Sequence, residues 1–114
     1  MRLIAIAAIG FASLAAVVPA GAQNGLDQAL AELEAYDYPR AVASLRAAAD
    51  EGDRRAQRIL GFMLLHGDQL YRGVAADRAE AVAWLRKAAH AGDEQAAWFV
   101  ARLDGGRNSG LAAR

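Results

Sequence analysis

The chain has 114 residues, a formal net charge of zero at pH 7 and no cysteine. This length suits one small domain, and the balanced charge gives no reason to expect binding to nucleic acid or to an anionic membrane. The lack of cysteine excludes disulfides and a lipid-modified N-terminal cysteine.

Residues 1–22 are predicted to be a secretory signal peptide. Arg2 precedes an apolar run from residue 3 to residue 18, and Pro19 and an Ala-Gly-Ala stretch follow. A positive start, an apolar run of this length and small residues before the cleavage site are typical of exported proteins. We expect cleavage after Ala22 and a periplasmic or secreted protein of a Gram-negative bacterium. The alternative, an uncleaved anchor, is disfavoured because a spanning helix needs about 20 apolar residues.

Residues 23–104 are predicted to form one all-α domain. Apolar residues recur at helical spacing, alanine is abundant and no stretch alternates in the manner of a strand. The predicted helices cover residues 25–36, 39–51, 54–66, 77–91 and 94–104. The tail, residues 105–114, has few apolar side chains to bury and is predicted to be disordered.

Two short corners separate predicted helices. Gly52 and Gly92 favour the left-handed conformation that ends a helix, and Asp53 and Asp93 follow each glycine at once. An aspartate there can accept hydrogen bonds from the first amides of the next helix. Helices joined by such a short corner are expected to be antiparallel neighbours.

Two further residue pairs predict helix starts. Pro39 suits the first turn of a helix, where no amide donor is needed. Asp77 and Glu80 have the spacing of a capping box, in which each side chain bonds to the other's backbone amide.

One sequence motif occurs twice in the chain. LRAAADEGDRRA starts at Leu45, and LRKAAHAGDEQA starts 40 residues later at Leu85. A repeat of this length is typical of solenoids, in which helical units stack. The shared alanines are predicted to be packing contacts, since small side chains let helix backbones approach closely. These alanines are Ala48, Ala49, Ala56, Ala88, Ala89 and Ala96.

The stretch from Tyr38 to Leu103 resembles the Sel-one-like repeat, a subfamily of the tetratricopeptide-type helical repeats. The matching positions are Ala56, Leu60, Gly61, Gly67, Gly73, Val74, Asp77, Ala81, Trp84, Ala88, Ala89 and Gly92. Two features depart from the family pattern. Leu64 replaces an aromatic residue, and the five residues 68–72 stand where the family usually has one. The resemblance implies a short right-handed superhelical solenoid of antiparallel helix pairs, and it implies adaptor or regulatory functions.

The sequence predicts no catalytic residue, no cofactor and no metal site. The two histidines, His66 and His90, each lie near the end of a predicted helix, and a metal site usually needs three or four closely spaced ligands. The carboxylates Asp50, Glu51 and Asp53 could perform acid–base chemistry, but capping and solvation at a helix corner explain them better. The chain is therefore predicted not to be an enzyme.

Two surfaces are predicted to bind a protein partner. In tetratricopeptide-type repeats the first helix of each pair lines the concave side, and here the candidates on those helices lie at equivalent positions of the repeat: Arg55, Arg58, Phe62, Gln95, Trp98 and Arg102. The alternative is an ordinary edge of the core with solvated charges. The other candidates are Leu70 and Tyr71, which either contact a partner or fold back over the helix ends.

The favoured function is an exported, non-catalytic scaffold or adaptor for protein–protein interaction in the bacterial envelope. The alternatives are a dedicated regulator or inhibitor of an envelope enzyme or sensor, and a peptidoglycan-associated binder or enzyme. Because repeat arrays generally need about three units for stability, self-association or docking on a partner is also expected. Arg58→Ala should barely alter stability, because an exposed charge usually matters little, and Ala89→Leu should destabilise by roughly 1–3 kcal/mol.

Overall fold

A computed structural model describes residues 25–112 of the chain and the side chains of residues 25–106. Within this part every regular element is a helix and there is no strand, which confirms the all-α prediction. The predicted signal peptide, residues 1–22, lies outside the described residues. No helix between residues 25 and 112 is both long and apolar enough to span a bilayer.

The five predicted helices are all present. They are α1 (residues 25–34), α2 (Tyr38–Asp50), α3 (Arg54–His66), α4 (Arg78–His90) and α5 (Glu94–Ala112). The bounds of α1 to α4 lie within two residues of those predicted. Helix α5 continues past the predicted end at residue 104 to Ala112. The disorder expected of residues 105–114 stays a prediction, and residues 113–114 lie outside the described part.

Each helix from α2 to α4 packs on the next helix in the chain, and the α3–α4 interface is the most extensive. This order of contacts is compatible with a helical repeat solenoid. The centre of the core contains Leu45, Leu60 and Leu85, whose exposure is 0%. Alanines complete it: Ala29, Ala41, Ala48, Ala49, Ala56, Ala81, Ala88 and Ala96 are all buried. The predicted packing alanines thus lie in the interior, except Ala89, which is only partly buried.

The two corners have matching backbone geometry. Gly52 has φ +97° and Gly92 has φ +99°, as expected of glycines that end helices. The amide of Asp53 donates to Ala48 O at 3.1 Å, and the amide of Asp93 donates to Ala88 O at 3.0 Å. The Oδ1 atoms of the same aspartates accept from amides in the first turn of α3 and of α5. Both predicted aspartate caps are confirmed.

Gly61 of α3 lies in close contact with α4. A Cβ atom at this position would lie 2.8 Å from Leu85 Cγ and 3.0 Å from the carbonyl oxygen of Ala81. Only glycine fits this contact without displacing the neighbouring helix. The lack of a side chain at Gly61 therefore permits this close contact within the α3–α4 interface.

The capping box predicted at the start of α4 is half formed. The carboxylate of Asp77 accepts from the amide of Glu80 at 3.0 Å, but the amide of Asp77 donates to Leu64 O instead of the Glu80 side chain. The Glu80 carboxylate instead bonds to Arg46 of α2 and to Trp84. Glu80 therefore joins two helices, because stronger charged partners lie within reach.

The segment between α3 and α4 is an ordered loop. It begins with a 3-10 turn, Gly67–Gln69, and the side chain of Asp68 accepts from the amide of Gly73 at 2.8 Å. Val74 is buried and anchors the far end of the loop in the core. The ring of Tyr71 is held against α2, whereas Leu70 remains 56% exposed. Tyr71 thus folds back onto the helices, whereas contact of Leu70 with a partner stays a prediction.

Candidate functional site

A groove opens across α1, α3 and α5, the helices that alternate in the chain with α2 and α4. We call it the aromatic groove, and it encloses about 600 Å³. Its lining residues are Leu33, Arg58, Ile59, Phe62, Tyr71, Gln95, Trp98 and Phe99. The side chains are large and mostly apolar, as is usual for a concave binding site.

Aromatic rings form a continuous strip along the groove. The ring centroids of Tyr71 and Phe62 lie 6.3 Å apart, those of Phe62 and Phe99 5.3 Å apart, and those of Phe99 and Trp98 5.3 Å apart. Tyr38 extends the strip, because its ring lies 5.2 Å from that of Tyr71 at 80°. Most of these pairs meet edge to face, the favoured arrangement for aromatic rings. The rings therefore hold one another in place before any ligand binds.

Among the described residues that line the groove, Arg58 alone is charged, and it is paired. Arg58 Nε donates to Asp93 Oδ2 at 3.0 Å, and the two side chains are only 24% and 11% exposed. Burial alone would raise the pKa of Asp93, but hydrogen bonds from the Ala96 amide and from Arg58, together with the Arg58 charge, outweigh it and lower the pKa. Both groups are therefore charged at neutral pH, and they neutralise each other at the edge of the groove.

Three polar groups along the groove lack a hydrogen-bond partner among the described residues: the indole N–H of Trp98, the amide of Gln95 and the hydroxyl of Tyr71. Trp98 and Gln95 are exposed, so water satisfies them in the free protein. Burial, and then the neighbouring Tyr38, raise the pKa of Tyr71 above its usual value of 10.0. The Tyr71 hydroxyl is therefore a protonated donor at neutral pH.

The groove brings together most of the residues predicted to bind a partner. Five of the predicted residues line it: Arg58, Phe62, Tyr71, Gln95 and Trp98. The guanidinium of Arg102 lies over the Trp98 ring, 5.1 Å from its centroid, and so flanks the groove from outside. Arg55 is exposed and does not line it. Leu70 lines a separate cleft together with Tyr36, Tyr38 and Arg72.

Three lining residues were missed by reasoning from sequence: Leu33, Ile59 and Phe99. Ile59 and Phe99 are equivalent in the repeat, because they stand 40 residues apart, and each adjoins a predicted residue. That equivalence is a signal that could have identified them. Leu33 belongs to α1, for which no internal match exists, and only the packing of α1 brings it to the groove.

The other tryptophan, Trp84 of α4, is held differently. Trp84 Nε1 donates to Glu80 Oε2 at 2.9 Å, and Arg46 Nη1 donates to the same oxygen at 2.8 Å. Trp84 is partly buried against the core. Because its polar edge is satisfied within the fold, Trp84 has a structural role, in contrast to Trp98.

The predicted absence of a metal site stays a prediction for the whole chain, although residues 25–112 contain no cluster of three or more His, Cys, Asp or Glu side chains arranged to hold an ion. The ring of His66 lies 4.3 Å from that of Phe62, tilted at 55°. His90 is exposed at the end of α4. Neither histidine lines the groove.

Comparison with known proteins identifies no relative of this chain. The chain matches no family model, no curated protein and no solved structure. The function of the groove must therefore follow from its own geometry and chemistry.

Proposed function

We propose that this chain is an exported, non-catalytic repeat protein that serves as a scaffold or adaptor in the bacterial cell envelope. It binds another protein by seating a segment of that partner in the aromatic groove. Membership of the Sel-one-like repeat family, signal-peptide cleavage and a periplasmic or secreted location are parts of the same proposal.

The exposure of Trp98 supports binding at the groove. Its side chain is 56% exposed on a surface where Phe62, Phe99 and Tyr71 are already packed against one another. A large exposed aromatic residue beside an apolar concavity is typical of a protein interface, and tryptophan, tyrosine and arginine are the residues that most often dominate binding energy. A folded core alone gives no reason to leave this ring in water.

The equivalence of the two corners supports a repeat protein. Gly52 and Gly92 adopt the same backbone conformation, and the caps Asp53 and Asp93 each accept from the third residue after them. Gly61, at a position of the family pattern, has a packing reason to be glycine. These relationships favour two units built on one plan, with α1, α3 and α5 on the binding side.

Capture of partners by the purified chain tests the proposal. The chain would be immobilised and incubated with a periplasmic extract, in parallel with Trp98→Ala and with Leu70→Ala. Leu70 is a matched control because its side chain is also 56% exposed but lies outside the groove. We expect the same specific proteins with the wild type and with Leu70→Ala, and their loss with Trp98→Ala.

Circular dichroism must first show that the variants keep the wild-type fold. If Trp98→Ala retains that fold and still captures the same proteins at the same yield, the groove is not the binding surface. Reproducible capture of one protein at a one-to-one ratio would indicate a dedicated regulator, whereas several partners would indicate an adaptor.

A further inference from the structure

We propose that a second site, the cleft between the α1–α2 corner and the α3–α4 loop, binds a neutral saccharide. We call it the loop cleft, and it encloses about 450 Å³. Its lining residues are Tyr36, Tyr38, Asp68, Gln69, Leu70 and Arg72. These six residues are all distinct from those that line the aromatic groove, so the two sites can be tested separately.

Tyr36 adopts a backbone conformation that is unfavourable for tyrosine. Its φ is +61°, and no other non-glycine residue in the described part of the chain has a positive φ. The amides of Tyr36 and Asp37 donate to carbonyl groups three and five residues earlier, and the same two bonds end α2 and α4. There the left-handed residue is Gly52 or Gly92, because glycine meets no steric penalty in this conformation. A large side chain is therefore present at the one corner where glycine would fit better.

The core does not compensate for this conformation. The side chain of Tyr36 is 77% exposed, and its ring meets that of Tyr38 edge to face at 6.2 Å. Leu70 is also exposed, so two of the three large hydrophobic residues exposed in the described part line this one cleft. An unfavourable backbone conformation beside exposed apolar side chains indicates a binding site.

The two walls of the cleft belong to equivalent connections of the repeat. Asp37 caps α2, and Asp77, 40 residues later, caps α4. The first connection consists of residues 35–37 alone, whereas the second consists of residues 67–77. The longer connection places Leu70 and Arg72 opposite Tyr36. Two departures from a regular plan, one in each connection, thus meet in one cleft, and a shared ligand gives a reason for both.

The polar groups of the cleft match a ligand that both donates and accepts hydrogen bonds. Asp68 can only accept, and one of its carboxylate oxygens takes the amide of Gly73 at 2.8 Å. Arg72 can only donate, and it has no ion-pair partner among the described residues. A ligand of either charge that is attracted to one of these groups is repelled by the other. Hydroxyl groups donate and accept without charge, so they can bond to both.

The composition of the cleft favours a saccharide over a protein segment. A sugar ring has an apolar face of C–H groups and a rim of hydroxyls, and the exposed ring of Tyr36 offers such a face a flat apolar surface with polar groups beside it. The centre of a protein interface is depleted of charged residues, whereas two of the six lining residues here are charged. The volume of about 450 Å³ lies within the range of roughly 300–1,000 Å³ that is usual for small-ligand sites.

Isothermal titration calorimetry with three neutral tetrasaccharides, cellotetraose, maltotetraose and chitotetraose, tests the inference. We expect saturable binding of at least one of them to the purified chain. Tyr36→Gly should keep the fold, because glycine stands at the same position of the two other corners, and it should weaken binding by at least about tenfold. Arg72→Gln removes a charged donor and should weaken binding about threefold to tenfold.

Two variants outside the cleft are the controls. Arg55→Gln makes the same change as Arg72→Gln at another exposed arginine, and Trp98→Ala alters the aromatic groove. Neither should change the affinity for the saccharide. Circular dichroism and thermal unfolding check that Tyr36→Gly is folded and at least as stable as the wild type.

Three outcomes would overturn the inference. One is that none of the three tetrasaccharides binds the wild type. Another is that the folded Tyr36→Gly variant binds one of them as tightly as the wild type does. The third is that no tetrasaccharide binds and Tyr36→Gly loses a protein from periplasmic extract that Trp98→Ala still captures. The cleft is then a second protein-binding surface, and the function proposed for the aromatic groove is unaffected by any of these results.

Discussion

Arg58 of α3 bonds through its Nε to Oδ2 of Asp93, and the other carboxylate oxygen of Asp93 caps α5 by accepting from the Ala96 amide at 2.8 Å. Arg54, one turn earlier in α3, donates from Nη1 to the carbonyl oxygen of Ala91 at 3.1 Å. Two arginines of one helix thus hold the corner between α4 and α5. The ion pair between Arg58 and Asp93 thus has two effects: it neutralises the charge at the edge of the groove, and it holds the start of α5, the helix that supplies Trp98 and Phe99 to the groove.

Arg58→Ala should destabilise the fold. The sequence-based expectation of little change assumed an exposed side chain, whereas Arg58 is only 24% exposed and its partner Asp93 11%. Removal of the guanidinium leaves a largely buried carboxylate without its charged partner, and we expect a loss of about 1–3 kcal/mol in the free energy of unfolding. Urea denaturation measures it. Arg55→Ala, at an exposed position of the same helix, is the control and should change stability by less than about 0.5 kcal/mol.

The contribution of Asp93 to stability should depend on pH. Its pKa in the folded protein lies below the usual value of 3.8, so the unfolded chain takes up the proton first as pH falls. The stabilisation by ionised Asp93 is therefore complete above about pH 5 and is lost as pH falls through the folded-state pKa. The free energies of unfolding of the wild type and of Asp93→Asn, measured by urea denaturation, should differ at pH 7, and this difference should be smaller at about pH 3. An equal difference at both pH values would contradict this account.

Gly61→Ala should destabilise the α3–α4 interface. The added methyl group would lie 2.8 Å from Leu85 Cγ and 3.0 Å from Ala81 O, and the carbonyl cannot move without its helix. Overpacking of this kind should lower the free energy of unfolding by about 1–3 kcal/mol. Gly105→Ala in α5 is the matched control, because no described residue lies within 4 Å of its added Cβ, and alanine should there stabilise the helix slightly. Thermal unfolding followed by circular dichroism distinguishes the two, and equal effects would show that the close contact is absent in solution.

Ala49→Leu should destabilise more than Ala89→Leu, although the two residues are equivalent in the repeat. Ala49 has 0% exposure, whereas Ala89 is only partly buried. Because Ala89 is partly exposed, a larger side chain there can extend toward solvent, and the loss for Ala89→Leu should lie at the lower end of the roughly 1–3 kcal/mol expected from the sequence. Ala49→Leu should equal or exceed the upper end. Chemical denaturation of both variants measures the two losses in the free energy of unfolding. A larger loss for Ala89→Leu would contradict the burial of Ala49 and Ala89 seen in the structure.

Local chemistry made much of the fold predictable from the sequence. Helix starts and ends follow from residues that act on their own backbone, such as Gly52 and Asp53, and these corners need no tertiary information. The burial of Leu45 and Leu85 follows from helical periodicity and from the repeat. Phe62 and Trp98 could also be assigned to one face from the sequence. That assignment required only the 40-residue repeat and the expectation that the first helix of each pair lines the concave side.

The tertiary structure decided which distant groups meet. No local pattern pairs Arg58 with Asp93, or sends Glu80 to Arg46 and Trp84 instead of back to its own helix start. These choices depend on distances across helix interfaces, which backbone contacts such as that of Gly61 determine. The sequence alone therefore specified a helical chain with a small-residue interior. Packing specified the groove, because a concave surface exists only where helices far apart in the chain come side by side.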